Sequence, residues 1–162
     1  MARLKLFWQI IDGCPVYFAE KKEITGCVES EIKRIEETAG YQLPLEYKKF
    51  LKNLGKSSGT FLQGTDIFFD SILEIQEWAV ELLEEEGKSS LLPKNAFIIF
   101  MHQGYEFGYF LLGESEDPQV YFYSEGMNYP EARWESVSYF FENALAGEMQ
   151  VRQEYEINRD SH

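Results

Sequence analysis

Residues 28–59, VESEIKRIEETAGYQLPLEYKKFLKNLGKSSG, write two short amphipathic helices and the corner between them, and no other stretch restricts the fold as strongly. Val28, Ile32, Ile35 and Ala39 recur at i, i+4, i+7 and i+11, a single apolar stripe that other parts of the chain must cover. Glu29 with Lys33 and Glu31 with Arg34 are expected to pair on the wet side. Gly40 stops this helix. Leu43-Pro44 then restarts the chain, because proline in a first turn gives up no needed N–H. Tyr47, Phe50, Leu51 and Leu54 repeat at i, i+3, i+4 and i+7. Glu46 opens this second helix and Lys52 closes it, both matching the helix dipole, before Gly55 ends it.

A chain of 162 residues suits one domain, and a core of that size buries about 70% of the unfolded surface without metal or disulfide support. Thirteen Phe and ten Tyr exclude a disordered acidic chain in spite of a net charge of −13. The charge is uneven. Residues 1–81 carry ten Lys/Arg against thirteen Asp/Glu, net −3, whereas residues 82–162 carry five against fifteen, net −10. Such a field repels phosphate backbones and attracts basic proteins, so direct nucleic-acid binding is disfavoured and a basic protein partner is allowed. Cys14 and Cys27 are the only cysteines, too few for a disulfide framework and without metal-ligand spacing, which favours a reduced compartment. The start, MARLKLFWQIIDG, lacks the long apolar stretch and small-residue cleavage site of a secretory leader. No run reaches the roughly 18 apolar residues of a membrane helix. The expectation is a cytoplasmic protein with no membrane contact.

Before the helix pair, Leu6, Phe7, Ile10 and Ile11 suit an amphipathic helix ending near Gly13, with Cys14-Pro15 blocking its continuation and Val16 to Ala19 extended. After it, Phe61-Leu62 and Ile67-Phe68-Phe69 flank Gln63-Gly64-Thr65-Asp66, the pattern of a hairpin or of two strand ends around a turn. Ser71 with Glu74 forms a capping box for a helix with Ile72, Ile75, Ala79, Leu82 and Leu83 inward, ending at Gly87. Ala96 to Met101, Phe107 to Leu112 and Val120 to Tyr123 are separated by Gly-containing or Asp-Pro turns of hairpin length, which favours antiparallel pairing. The unbroken Phe97-Ile98-Ile99-Phe100 run predicts a central strand covered on both faces. Ser136 can cap a last helix with Val137, Phe140, Phe141 and Leu145 inward, stopping at Gly147. The fold class expected is α+β, one domain over residues 1–147 with a mainly antiparallel sheet of about five to six strands covered by about four helices. Residues 148–162 are expected as a polar tail or frayed helix.

The constellation I-x-x-I-E-x-x-x-G-x-x-L-P-x-x-Y-x-x-F-L-x-x-x-G, from Ile32 to Gly55, resembles the N-terminal signature of the SUKH superfamily. The order that follows, with Phe61 to Phe69, the helix from about Ser71, Pro93 before Ala96 to Met101, the aromatic strand near Phe107 and Trp134 before a last helix, is similar to the family's over roughly residues 24–146. The resemblance implies an α+β protein-binding domain, most often a bacterial immunity protein that neutralises a toxin, frequently a nuclease. A fungal branch, linked to cell-wall synthesis and signalling, implies the alternative of a regulatory or scaffold module. Neither branch implies catalysis or a cofactor.

The residues themselves point the same way. Gly55-Lys56-Ser57 ends like a phosphate-binding loop, but the motif's first glycine would fall at Phe50 and a helix, not a strand, precedes it. His102 is the only internal histidine, so any nucleophilic device would have to pair it with Cys27 across the fold; a turn histidine is the simpler reading. Metal-ligand spacing is absent, and Glu84-Glu85-Glu86 reads as the exposed end of a helix. What remains is a binding surface in and beside the sheet's turns. Tyr105, Glu106, Glu114, Glu116, Asp117, Tyr121, Tyr123, Glu125, Tyr129 and Glu131 mix rigid aromatic area with negative charge. That mixture suits a basic protein such as a nuclease toxin, the tyrosines as anchors and the carboxylates speeding encounter.

Overall fold

The computed structural model describes residues 24–59 and 61–161. The expected helix before Gly13 and the extended Val16 to Ala19 lie outside these residues. A short strand β1 (Ile24–Thr25) leads into helix α1 (Glu29–Ala39), helix α2 (Leu45–Leu54) and β2 (Ser57–Ser58), which pairs antiparallel with β1. A helical turn α3 (Phe69–Ile72) and helix α4 (Glu74–Glu85) precede four strands, β3 (Ala96–His102), β4 (Glu106–Leu111), β5 (Val120–Ser124) and β6 (Glu131–Trp134). Helix α5 (Val137–Asp160) closes the chain. The four strands form an antiparallel meander in the order β3-β4-β5-β6, so this is a single α+β domain whose main sheet is smaller than the five to six strands expected.

The local signals of the first helix pair are obeyed except at Val28, which precedes α1 as its cap residue and is 59% exposed instead of joining the buried stripe. Ile32 and Ile35 of α1 and Tyr47, Phe50, Leu51 and Leu54 of α2 are buried. Gly40 ends α1 with φ +74°, the left-handed conformation that glycine adopts without a steric penalty. Gly55 serves a different need. Its φ is an ordinary −63°, but a Cβ there would sit 2.5 Å from the Leu51 carbonyl oxygen and 2.7 Å from the Cys27 sulfur. The expected Glu29–Lys33 and Glu31–Arg34 pairs are replaced by longer-range ones. Glu29 lies 3.8 Å from Lys52, and Glu31 takes a 2.9 Å bond from Lys56 while its other oxygen accepts the Val28 N–H. Those two donors hold the Glu31 carboxyl below the usual carboxylate range, the Lys56 bond first.

Strand register fixes which side chains face which layer. Phe97, Phe100, Phe110, Phe122 and Trp134 share one face, and Ile98, Met101, Phe107, Tyr109, Tyr121 and Tyr123 share the other. The first face meets α2 and α5: Tyr47 contacts the rings of Phe97 and Phe110, Phe50 stacks on Phe141 at 4.3 Å, and Phe140 stacks on Phe100 at 5.2 Å. Gly108 makes room for this. A Cβ at Gly108 would strike the Phe100 ring, which lies across β4. The second face meets α4 through Ile75, Ala79, Leu82 and Leu83.

Four expectations are corrected. β3 is covered on both faces, as its apolar run suggests, yet it stands at the edge of the sheet rather than its centre. Its outer backbone is satisfied by other means. The Gln76 carboxamide bonds both the N–H and the carbonyl of Ile98 at 2.8 Å, and Asp66 exchanges two backbone bonds with Met101. A continuous apolar run reports burial and cannot distinguish a paired edge from a clasped one. Residues 61–69 form a turn with that single Asp66–Met101 bridge instead of a hairpin, because Leu62 at φ 58° and Gly64 at φ 83° curl the chain before two strand lengths can face each other. Consequently the following helical turn starts at Phe69, and Ser71 lies inside it rather than capping it. Gly147, finally, does not end α5. It lies in open space within the helix, where glycine costs about 1 kcal/mol relative to alanine but does not force a break.

Candidate protein-binding surface

The meander places its turns at two opposite ends. The β3–β4 and β5–β6 turns share one end and the β4–β5 loop lies at the other, about 20 Å away along the six residues of β4. The ten candidate residues therefore do not form one surface. At the β4–β5 end lie Glu114, Glu116 and Asp117; at the opposite end lie Tyr105, Glu106, Glu125 and Tyr129.

The β4–β5 loop uses two of its acids to hold helices. The Glu116 carboxylate accepts the Leu45 N–H at 2.7 Å, and its carbonyl accepts the Glu46 N–H at 3.0 Å, so the start of α2 is capped from 71 residues away in sequence. Asp117 does the same for α5, accepting the Ser138 N–H at 2.9 Å and its hydroxyl at 2.5 Å, beside the Ser136 hydroxyl that caps Tyr139. Exposed first-turn N–H groups carry the positive end of a helix and select an anion. Sequence reading missed these roles since the capped residue and its cap are far apart. Replacing Asp117 with alanine should lower stability by about 1 to 2 kcal/mol, by orphaning the buried Ser138 donors; a thermal melt equal to wild type would refute the role. Glu114 is exposed and borders a 490 Å³ depression with Tyr41, Gln42 and Pro44.

Tyr123 is fully buried. Its hydroxyl donates to Glu86 at 2.5 Å, and Lys88 reaches the same hydroxyl at 3.3 Å, the Met127 carbonyl at 2.9 Å and Glu86 at 3.2 Å. Glu86 also accepts the Gly126 N–H at 2.7 Å, so this polar knot ties the β5–β6 turn to the end of α4. The Tyr123 hydroxyl, with help from Gly126 and Lys88, holds the Glu86 carboxyl below its usual range. Tyr121 is half-buried and stacks on Tyr109 at 5.1 Å. Glu131 is exposed and pairs with Arg133 at 3.1 Å, whose guanidinium lies 3.5 Å over Phe122.

The remaining end is open. Tyr105 is 38% exposed and Tyr129 74% exposed, Glu125 is exposed and Glu106 half-buried. Gln103 and Gly104, both left-handed at φ 49° and φ 78°, turn β3 tightly into β4, and the Glu125 N–H donates to the Tyr105 carbonyl at 2.8 Å, holding the two turns side by side. His102 is half-buried against Tyr105, ring centroids 6.3 Å apart. Cys27 is buried, which pushes its thiol up to about 11, where the nucleophilic thiolate is scarce at neutral pH. Among the described residues no three His, Cys, Asp or Glu side chains gather as metal ligands, and no helix is long and apolar enough to cross a membrane.

The comparison of the chain with known families agrees with this architecture. No curated protein matches it. The SUKH_6 family, described as SMI1-KNR4 cell-wall, matches residues 29–141, from the first residue of α1 to the Phe141 ring that stacks on Phe50. The matched stretch takes in both helices of the corner, the whole meander and the start of α5, and on that extent the chain belongs to the SMI1-KNR4 family of the SUKH superfamily.

Proposed function

We propose that this chain is a non-catalytic, cytoplasmic protein-binding domain, a bacterial immunity protein that neutralises a cognate nuclease toxin by docking an acidic, aromatic surface onto the toxin's basic substrate face. The observation that carries the reading is the pairing of exposed tyrosines Tyr105 and Tyr129 with the exposed carboxylate of Glu125 at the end of the sheet not occupied by helix caps. Tyrosine supplies burial with one hydroxyl to orient, and negative charge accelerates encounter with Lys/Arg-rich surfaces. Family membership supports protein binding in general. The burial of Cys27 in the core speaks against the one nucleophile and base pair that the sequence offered.

The test is association with the toxin encoded beside this chain's gene. Wild type should bind with a rate that falls steeply with salt, and Glu125→Lys with Tyr129→Ala should slow association by about tenfold while leaving the melting temperature unchanged. Absence of any neighbouring toxin, or a rate indifferent to both salt and charge reversal, would overturn the reading. The words cell-wall in the family description favour a second reading, a regulatory or scaffold module of cell-wall synthesis. That module would show several weak partners whose binding barely responds to Glu125→Lys.

A further inference from the structure

Helix α4 holds negative charge that no ion pair among the described residues compensates. Glu74, Glu77, Glu81, Glu84 and Glu85 are exposed, and no described residue forms an ion pair with any of them, whereas Lys48, Lys49, Lys52 and Lys56 are each paired with a glutamate of α1 or α2. Glu77, Glu81 and Glu85 repeat at i, i+4, where like charges repel along a helix. Glu84 and Glu85 also occupy the last turn, against the helix dipole, with no basic residue there. The helix tolerates two electrostatic penalties that a bound cation would relieve.

A specific place for that cation adjoins them. Trp78, Glu81, Leu82 and Glu85 lie at i, i+3, i+4 and i+7 and line a 220 Å³ notch together with Gly104 of the β3–β4 turn. Trp78 is 39% exposed, a large indole left at the surface instead of in the core. Gly104 is followed in the same turn by Tyr105, whose carbonyl accepts the Glu125 N–H, so the notch adjoins the pair of turns described above.

We propose that this notch receives a lysine or arginine side chain of a basic protein partner, the indole of Trp78 packing on the cation and the carboxylates of Glu81 and Glu85 flanking it. This rests on the protein-binding reading and names the anchor it lacks. An indole face attracts a cation through its quadrupole, and two otherwise repelling carboxylates add direct charge. The exposed indole gives a basic residue a reason to choose this site over the other acidic surfaces of a chain with net charge −13.

Hexalysine is the probe, followed by amide and indole NMR shifts, with hexaglutamine as the neutral control. Saturating shifts should cluster at Trp78, Glu81, Glu85 and Gly104. Glu81→Gln with Glu85→Gln should weaken hexalysine about tenfold while raising the melting temperature slightly, and Glu114→Gln should leave affinity unchanged. Shifts spread evenly over every acidic surface, or a double variant that binds as wild type does, would overturn the proposal. The toxin measurement separates the two levels. A cognate toxin that binds wild type and double variant equally removes the notch and keeps the immunity reading; hexalysine binding that needs Glu81 and Glu85 in a chain that binds no toxin keeps the notch and removes the immunity reading.

Discussion

Replacing Phe50 with alanine should destabilise the fold by about 3 to 5 kcal/mol, lowering the melting temperature by about 10 °C or more. Phe50 is fully buried, stacks on Phe141 at 4.3 Å and lies 6.1 Å from the Tyr47 ring, so it joins α2 to α5 over the sheet. Truncation leaves a cavity bounded by rings that are themselves held by Phe97, Phe110 and Phe140, and such a cage cannot collapse to fill it. Chemical denaturation followed by circular dichroism gives the number directly. A loss under about 1 kcal/mol would mean that α2 does not pack on α5 as described.

Gly26→Ala should be nearly as damaging, about 3 kcal/mol, although it adds only one methyl group. The chain between β1 and α1 runs so close to the end of α2 that a Cβ at Gly26 would collide with the Lys52 carbonyl and lie 3.0 Å from the Asn53 nitrogen. Both obstacles are backbone, held in place by the helix, and neither can rotate away. The alanine must push residues 24–27 outward, which strains the Cys27 N–H bond to the Leu51 carbonyl at 2.7 Å and the Lys56 N–H bond to the Thr25 carbonyl at 3.0 Å. Hydrogen exchange should show those two amides losing protection well before the amides of β4. Unchanged protection in the variant would refute the close approach.

The same physics separates the legible parts of the sequence from the illegible ones. The α1–α2 corner could be read with its turn glycine and its buried stripe, since Ile32, Ile35, Tyr47, Phe50 and Leu51 signal through neighbours three or four residues away. Two of the three hairpins of the meander were announced by short turns between apolar runs, whereas β6 was not foreseen. The candidate surface was less readable. Glu114, Glu116 and Asp117 look alike in sequence, yet only Glu114 is free of a cap, so reversing all three charges would disturb folding as well as any binding. Trp78 offered no signal, because a tryptophan within a helix pattern is ordinarily counted as core.

By itself the sequence determined the main helices, strands β3 to β5 and the apolar faces, since each is encoded by a helical repeat of three to four residues or by an apolar run between turn residues close in the chain. Only the tertiary structure decided that β3 is an edge clasped by Gln76, that Glu116 and Asp117 cap helices 71 and 21 residues distant, and that the acidic tyrosine turns divide between two ends of the sheet. Those outcomes depend on which surfaces meet when the layers close, and a contact between distant residues leaves no periodic trace in the chain that makes it.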